Sequence, residues 1–226
     1  MGGSKDGEKR KEIFRIVQPD IRAPAEKMIK HNKAEVNRRE EDGMLYIMRH
    51  GRTDWNDRHK LQGSTDIPLN EEGRRMAKKA REEYWDIPLD ECWCSPLIRA
   101  RETAEILLQG RDVPIHTDAR LREMGFGEYE GTENSFQIPD CPVNVIFQAP
   151  EKYTRSVGGT ETFDELFART GEFLREVIQP RMAEGKNVII VGHGAMNLSI
   201  INQIRHLSRA DFWKPGIENC KLVRLL

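Results

Sequence analysis

The sequence predicts a three-layer α/β/α sandwich with a mostly parallel central sheet, and three observations carry that prediction. Short apolar runs alternate with amphipathic stretches over residues 44–226, the pattern of strands joined by crossover helices. In the run Asn187-Val188-Ile189-Ile190-Val191 the last four residues are apolar at successive positions, as in a strand covered on both faces. Two of the apolar runs stop at a histidine followed by glycine, a residue that frees the backbone for a sharp turn into a helix.

In chain order, Met44-Leu45-Tyr46-Ile47-Met48 is a buried-strand candidate that stops at Arg49-His50-Gly51. Asn70 followed by Glu71-Glu72 is an N-cap entering a helix to about Trp85, closed by Pro88. Cys92-Trp93-Cys94 is a second strand, with its two thiols expected on opposite faces and so unable to share a metal. Ser95 is expected to cap a helix from Leu97 to Gln109, with Pro96 in its first turn. Ile115 to Thr117 is a weaker strand, and Phe163 to Ile178 spaces its apolar residues helically. The strand ending at Val191 runs into Gly192-His193-Gly194 and a helix from about Ala195 to Arg205, and Lys221 to Leu226 is a last strand.

Composition narrows the function classes. The 226 residues carry 36 Lys+Arg against 37 Asp+Glu, for a net charge of -1, which argues against a nucleic-acid partner. No stretch approaches the roughly 18 apolar residues of a membrane span, and no apolar signal segment opens the chain, so a cytoplasmic protein with no membrane partner is expected. The four cysteines lack metal-ligand spacing and read as free thiols. Hydrophobic residues make up 38% and charged ones 32%, so a solvated segment dilutes the core. Residues 1–43 supply it, with 11 Lys/Arg, 9 Asp/Glu and one apolar knot, Ile13-Phe14-Arg15-Ile16-Val17. They read as a charged extension, a tail or appended arm with a short helix from Pro24 to Arg39, the alternative being a lid or a dimer arm. A homodimer therefore stays open, and residues 44–226 read as one domain.

The chemistry gathers where strands end, since open α/β sheets bind ligands outside the carboxyl ends of their strands. Three ends carry charged or imidazole groups: Arg49-His50-Gly51, Ser95-Pro96-Leu97-Ile98-Arg99 and Gly192-His193-Gly194. Two histidines with two arginines make an anion pocket, because a guanidinium offers a planar fork of donors matched to phosphate oxygens.

Arg49-His50-Gly51-Arg52-Thr53-Asp54-Trp55-Asn56, with Leu61-Gln62-Gly63-Ser64-Thr65-Asp66-Ile67-Pro68-Leu69-Asn70 after it, closely resembles the opening signature of the histidine phosphatase superfamily, phosphoglycerate-mutase-like branch. Ser95 to Ala104, Leu121 to Gly131 and Gly192-His193-Gly194 extend the resemblance in the family's order. It implies the phosphoglycerate-mutase-like form of the sandwich, no metal, no cofactor and a small phosphorylated metabolite as substrate. By the same resemblance His50 is the nucleophile that carries the phosphoryl group. Arg49, Arg99 and His193 surround the phosphoryl oxygens, and Glu123 is the acid and base. Gly51 and Asn56 add phosphate contacts, Gln62 and Gly63 line the pocket, and Gly194 belongs to the binding set. Read as residues alone, Arg99 could instead pair with Glu102 or Glu105 of its own helix, and Glu128 or Glu130 could replace Glu123 as acid.

Three departures from the family's mutases favour hydrolysis. Glu123 is followed by Met124-Gly125-Phe126-Gly127, the stretch 132–158 holds only Lys152 and Arg155 as cations, and Ala195 stands where the mutases carry asparagine. A metal-independent phosphomonoesterase, similar to alpha-ribazole and sugar-phosphate phosphatases, is expected. A phosphomutase and a catalytically silent phospho-ligand or partner-binding member are the alternatives. Tyr129, Phe136, Ile138, Val143, Ile146, Phe147 and Tyr153 are expected either to wall the leaving-group pocket or to form a minor core beneath a long loop.

Overall fold

Apolar side chains at four successive positions of two neighbouring strands demand cover on both sides, and the fold provides it. The computed structural model describes residues 43–226. Strand β1 (Leu45–Arg49) pairs in parallel with β4 (Val188–Gly192), β4 with β2 (Glu91–Cys94), and β2 with β3 (Ile115–Thr117). Strand β5 (Leu222–Arg224) adds antiparallel to β1, so the sheet order is β3-β2-β4-β1-β5. Successive residues of a strand face opposite sides. Leu45, Ile47, Val188 and Ile190 therefore join one core, and Tyr46, Met48, Ile189 and Val191 join the other.

The helices divide between these cores. In chain order they are α1 (Asp54–Asp57), α2 (Glu71–Glu83), α3 (Ile98–Leu108), α4 (Val145–Gln148), α5 (Phe163–Phe173), α6 (Gln179–Ala183) and α7 (Gly194–Arg205). Alanines and leucines of α2 and α3 pack with Tyr46 and Met48. Phe163, Leu166 and Phe173 of α5 and Met196, Ile200 and Ile201 of α7 cover the other face. No helix of the described residues is long and apolar enough to cross a membrane.

Capping explains where the helices start. The Asn70 side chain accepts from Gly73 N, as expected, and Thr162 with Glu165 forms a capping box that starts α5. The α3 start differs from expectation. Ser95 is not its cap; Leu97 occupies that position, and the Ile98 amide donates at 2.7 Å to Asp66 Oδ1 from a distant loop. A tertiary carboxylate has taken over a task that local sequence assigns to serine. The helix expected over 163–178 runs on through a π turn (Leu174–Ile178) into α6.

The two strand cysteines also correct an expectation. Cys92 and Cys94 are two positions apart, so both face the α2/α3 core, while Trp93 between them packs against the opposite one. Both are buried free thiols, and burial pushes the Cys94 thiol up to about 12. The expected leader helix Pro24 to Arg39, and the role of residues 1–42, lie outside the described residues.

One backbone contact ties the β1 turn to α2. A Cβ on Gly51 would stand 2.5 Å from Gly73 O, and a Cβ on Gly73 would overlap the Arg52 carbonyl. Gly73→Ala would gain about 1 kcal/mol of helix propensity. Here it must push apart backbone, which puts it high in the roughly 1–3 kcal/mol range of overpacking. The expected outcome is a net loss of about 1–2 kcal/mol, read as a lower urea midpoint at unchanged m.

Candidate active site

The register of the sheet brings together the groups that lie far apart in sequence. Because β1 and β4 are paired neighbours with Arg49 opposite Gly192, the residues that follow each strand, His50 and His193, become neighbours too. Their rings lie edge to face at 5.2 Å between centroids. The same register places the start of α3, and so Arg99, on the adjoining side, because β2 pairs with β4 as far as Cys94 opposite Val191. Thr103 locks the two turns together, its hydroxyl donating to Arg99 O at 2.6 Å and accepting from Gly51 N at 3.0 Å.

A cavity of about 300 Å³ opens at these strand ends. Of the residues singled out from sequence, Arg49, His50, Asn56, Gln62, Gly63, Arg99, Glu123 and Gly194 line it. Two stand behind it. His193 is wholly buried beside His50, and Gly51 has its amide committed to Thr103 and its carbonyl to the His50 Nδ1, at 2.6 Å. The expected Gly51 contact to phosphate is thus replaced by a contact to the imidazole. A carbonyl only accepts, so Nδ1 carries the proton and Nε2 keeps the lone pair. Asn56 commits its Oδ1 to the Thr53 amide at 3.1 Å, so Nδ2 is the end it can offer a ligand.

The arginines are held by neutral partners. Arg99, fully buried, donates from Nη1 to Thr65 O and from Nη2 to Gly63 O, each at 2.8 Å; it does not pair with Glu102, which binds Arg74 instead. Arg49 donates to Ile217 O at 3.3 Å. Arg49 Nε, Arg99 Nε, Gln62 Oε1 and both His193 ring nitrogens are buried without a partner. Such a concentration of unpaired polar atoms calls for a ligand, and three of these groups belong to two guanidinium ions or a ring beside them.

Burial pushes the Arg99 guanidinium down to about 10, opposed by Glu123 first among nearby carboxylates, so it stays charged at neutral pH. The same burial, with Arg99 and Arg49 close by, holds His50 well below the ordinary imidazole value. His193 is depressed for the same reason, burial first and Arg99 next.

Among the carboxylates of the described residues, Glu123 alone lines the cavity. Its Oε2 accepts from Gly194 N at 2.8 Å and Ala195 N at 3.3 Å, and its Oε1 from Met196 N and Met124 N, each at 2.9 Å. It therefore sits at the N-terminus of α7, where three helix amides and the neighbouring Met124 amide fill its lone pairs. Glu130 is occupied elsewhere, accepting from Ser64 N at 2.8 Å and Phe126 N at 3.1 Å. Glu128 does not line the cavity.

The residues expected either to wall the pocket or to form a minor core divide between the two. Phe147 lines the cavity, but Val143, Ile146 and Tyr153 are buried in the core, and Phe136 and Ile138 are exposed at 60% and 42%. The wall is completed by Leu61, Phe126, Leu198, Trp213 and Ile217, with Lys60 as a cation. Trp213 and Ile217 follow α7 in a segment that carries no periodic signal, and only folding sets them against Phe147, with the Trp213 ring 5.1 Å from it.

The comparisons with known proteins agree with this geometry. The family model of the histidine phosphatase superfamily (branch 1) matches residues 45–226. The chain belongs to that superfamily. It is 35% identical to the uncharacterized phosphatase PhoE of Bacillus subtilis over 177 residues, 78% of this chain and 82% of that protein. It is 29% identical to 2,3-bisphosphoglycerate-dependent phosphoglycerate mutase 2 of Gloeobacter violaceus over 180 residues, 78% of this chain and 82% of that one. The solved structure of Bacillus stearothermophilus YhfR superposes with a TM-score of 0.73 at 30% identity, covering 80% of this chain and 90% of that one. Histidine phosphatase members bearing phosphatase and mutase names thus both resemble this chain.

Unfolding returns both imidazoles to a pKa near 6.5. Below that pH the unfolded chain takes up protons that the folded site refuses, so stability falls as pH drops through about 6.5 and is flat in this respect above pH 7. The expected outcome is a urea midpoint that declines from pH 6.5 to 5. In His193→Gln the slope is shallower by about 1 kcal/mol per pH unit, close to the limit of about 1.4 for one group.

Proposed function

We propose that this member of the superfamily is a phosphomonoester hydrolase that works through a phosphohistidine on His50, with no metal. The observation that carries the reading is His50 itself: a neutral imidazole with Nδ1–H on a carbonyl and Nε2 free, in a cavity bounded by two buried guanidinium groups whose Nε–H donors have no partner. Phosphoryl transfer asks mainly for position and for positive charge around the transferring oxygens. His50 Nε2 forms the bond to phosphorus while the bond to the leaving oxygen breaks. Arg49 and Arg99 take the charge of the equatorial oxygens, and His193 supports the His50 ring from behind.

Glu123 gives the leaving oxygen its proton and then takes one from the water that attacks phosphohistidine, so free phosphate leaves and neutral His50 returns. All four of its acceptor positions are filled, so carrying a proton means surrendering one amide bond. The longest is the one from Ala195 to Oε2 at 3.3 Å, which makes Oε2 the oxygen for proton transfer.

Hydrolysis is favoured over mutase chemistry by the wall beyond the phosphoryl position. Phe126, Phe147, Leu198, Trp213 and Ile217 present apolar surface, and neither Lys152 nor Arg155 lines the cavity. A small phosphorylated metabolite with an apolar or sugar leaving group suits this wall. A mutase has to retain a charged acid between two transfers, and among the described residues Lys60 is the one lysine there to grip it.

The test is phosphate release from a panel of phosphomonoesters, including 2- and 3-phosphoglycerate, in EDTA. Wild type is expected to release phosphate from non-carboxylate esters, and His50→Ala to fall to background. Phosphoglycerate interconversion without release would make the chain a mutase, and silence on every ester would make it a binding protein. A second outcome concerns Glu123. In Glu123→Gln, kcat/KM on an alkyl phosphate falls by about 10²-fold, within the usual reach of general acid catalysis, and by less than about tenfold on p-nitrophenyl phosphate, whose leaving group needs little protonation. Equal losses on the two esters would remove the acid role.

A further inference from the structure

One guanidinium outside the cavity has every donor engaged, and its partners surround Glu123. Arg169, on α5, donates from Nε to Glu161 Oε1 at 2.6 Å and from Nη2 to Glu161 Oε2 at 2.9 Å. Its Nη1 donates to Arg120 O at 2.5 Å and Arg122 O at 2.8 Å, and Nη2 reaches Glu123 O at 3.2 Å. Those five bonds exhaust the five N–H donors of arginine. Glu161 grips the same segment from its other side, accepting from Gly125 N at 3.2 Å and donating its own amide to Gly125 O at 2.8 Å. Residues 120–125 are thereby fastened along their backbone by one arginine and one glutamate. Within that stretch the regular structure is a single 3-10 turn at Ala119–Leu121.

We infer that Arg169 is a positioning residue for Glu123: by holding the carbonyls of Arg120, Arg122 and Glu123 it places the Glu123 carboxylate on the amides of Gly194, Ala195 and Met196. The inference rests on the phosphatase reading for its catalytic meaning, but its structural half stands without it. Segment 120–125 has few hydrogen bonds of its own, so a 1 Å drift of the backbone would lift the carboxylate off α7, and misplacements of that size cost about 10²-fold in rate. Helix α5 is a rigid base for the clamp, since Thr170 meets Ser199 of α7 hydroxyl to hydroxyl at 2.7 Å. The two helices that carry the clamp and the receiving amides are therefore themselves bonded together. Lysine cannot replace Arg169, because one ammonium has three donors and no fork to span a carboxylate and three carbonyls.

The test uses the full chain with Arg169→Met and the milder Arg169→Lys, which keeps the charge. Amide hydrogen exchange is followed at Gly194, Ala195 and Met196, with Ile200 and Ile201 in the body of the same helix as internal references. The expected result is exchange at least about tenfold faster at the first three in both variants and unchanged at the references. On the enzyme side, kcat/KM falls by about 10²-fold on an alkyl phosphate and several-fold less on p-nitrophenyl phosphate. Inhibition by inorganic phosphate stays within about twofold. In a Glu123→Gln background the Arg169 substitutions cost little more, as for residues acting through one group. Unchanged exchange at the three amides, equal losses on both esters, or full additivity with Glu123→Gln would each overturn the inference. Should wild type hydrolyse no ester, the phosphatase reading falls, and the exchange measurement alone still decides whether Arg169 places Glu123.

Discussion

The site depends on keeping two guanidinium groups charged in a space sheltered from water without letting carboxylates neutralise them. Desolvating an ion costs several kcal/mol. The two carbonyl contacts of Arg99, worth about 1.5–3 kcal/mol each for a charged donor, return only part of that. Had an aspartate or glutamate held Arg99 directly, the free protein would be more comfortable and a bound anion less welcome. Carbonyl dipoles orient the fork and leave its charge uncompensated. Burial first, and the same arginine charge after it, keeps His50 and His193 neutral, so the arginines that would receive a phosphoryl group also help to keep the imidazoles free of protons.

Carboxylates do enter the design, but one step removed. Glu130 receives the amides of Ser64 and Phe126 and the Thr65 hydroxyl, and so fixes the loop whose Gly63 and Thr65 carbonyls hold Arg99. That loop needs glycine at position 63, where φ is +54° and a Cβ would overlap the Glu130 carboxylate. Asp66 stands at the start of α3, the helix that bears Arg99. Among the described residues Glu123 is the one carboxylate lining the cavity, and the helix amides spread its charge. Negative charge is thus placed where it shapes backbone and kept off the arginines' donors.

The outer cavity follows a different rule. Its wall is drawn from Leu61, Phe126, Phe147, Leu198, Trp213 and Ile217, which lie in separate stretches of chain, two of them on α4 and α7 and the others on irregular segments, and converge only in the folded chain. Phe126, Phe147 and Trp213 form a row of rings 5.8 and 5.1 Å apart. Both contacts are tilted, and the rings bury apolar surface against one another.

By itself the sequence determined the elements with strong periodicity and the groups at their ends. The strand before Gly192-His193-Gly194 and the Asn70 cap were legible because each depends on a few adjacent residues, and the two histidines and two arginines because each follows a strand end that the apolar pattern marks; their convergence came from the sheet register. Also legible was the alternation of strands and helices, since burial on two faces writes itself into the apolar runs 45–48 and 188–191 of β1 and β4. Tertiary structure decided what depends on residues distant in the chain. Asp66 rather than Ser95 caps α3, because a loop 32 residues earlier arrives there. Arg99 turns from its helix neighbours to two carbonyls, because the Glu130-held loop offers acceptors in a place closed to water. Val143, Ile146 and Tyr153 went to the core and Trp213 to the cavity, because apolar side chains in irregular segments have no period to say which surface they will cover. Hydrophobicity states that such residues must be covered; only the packed chain decides by what.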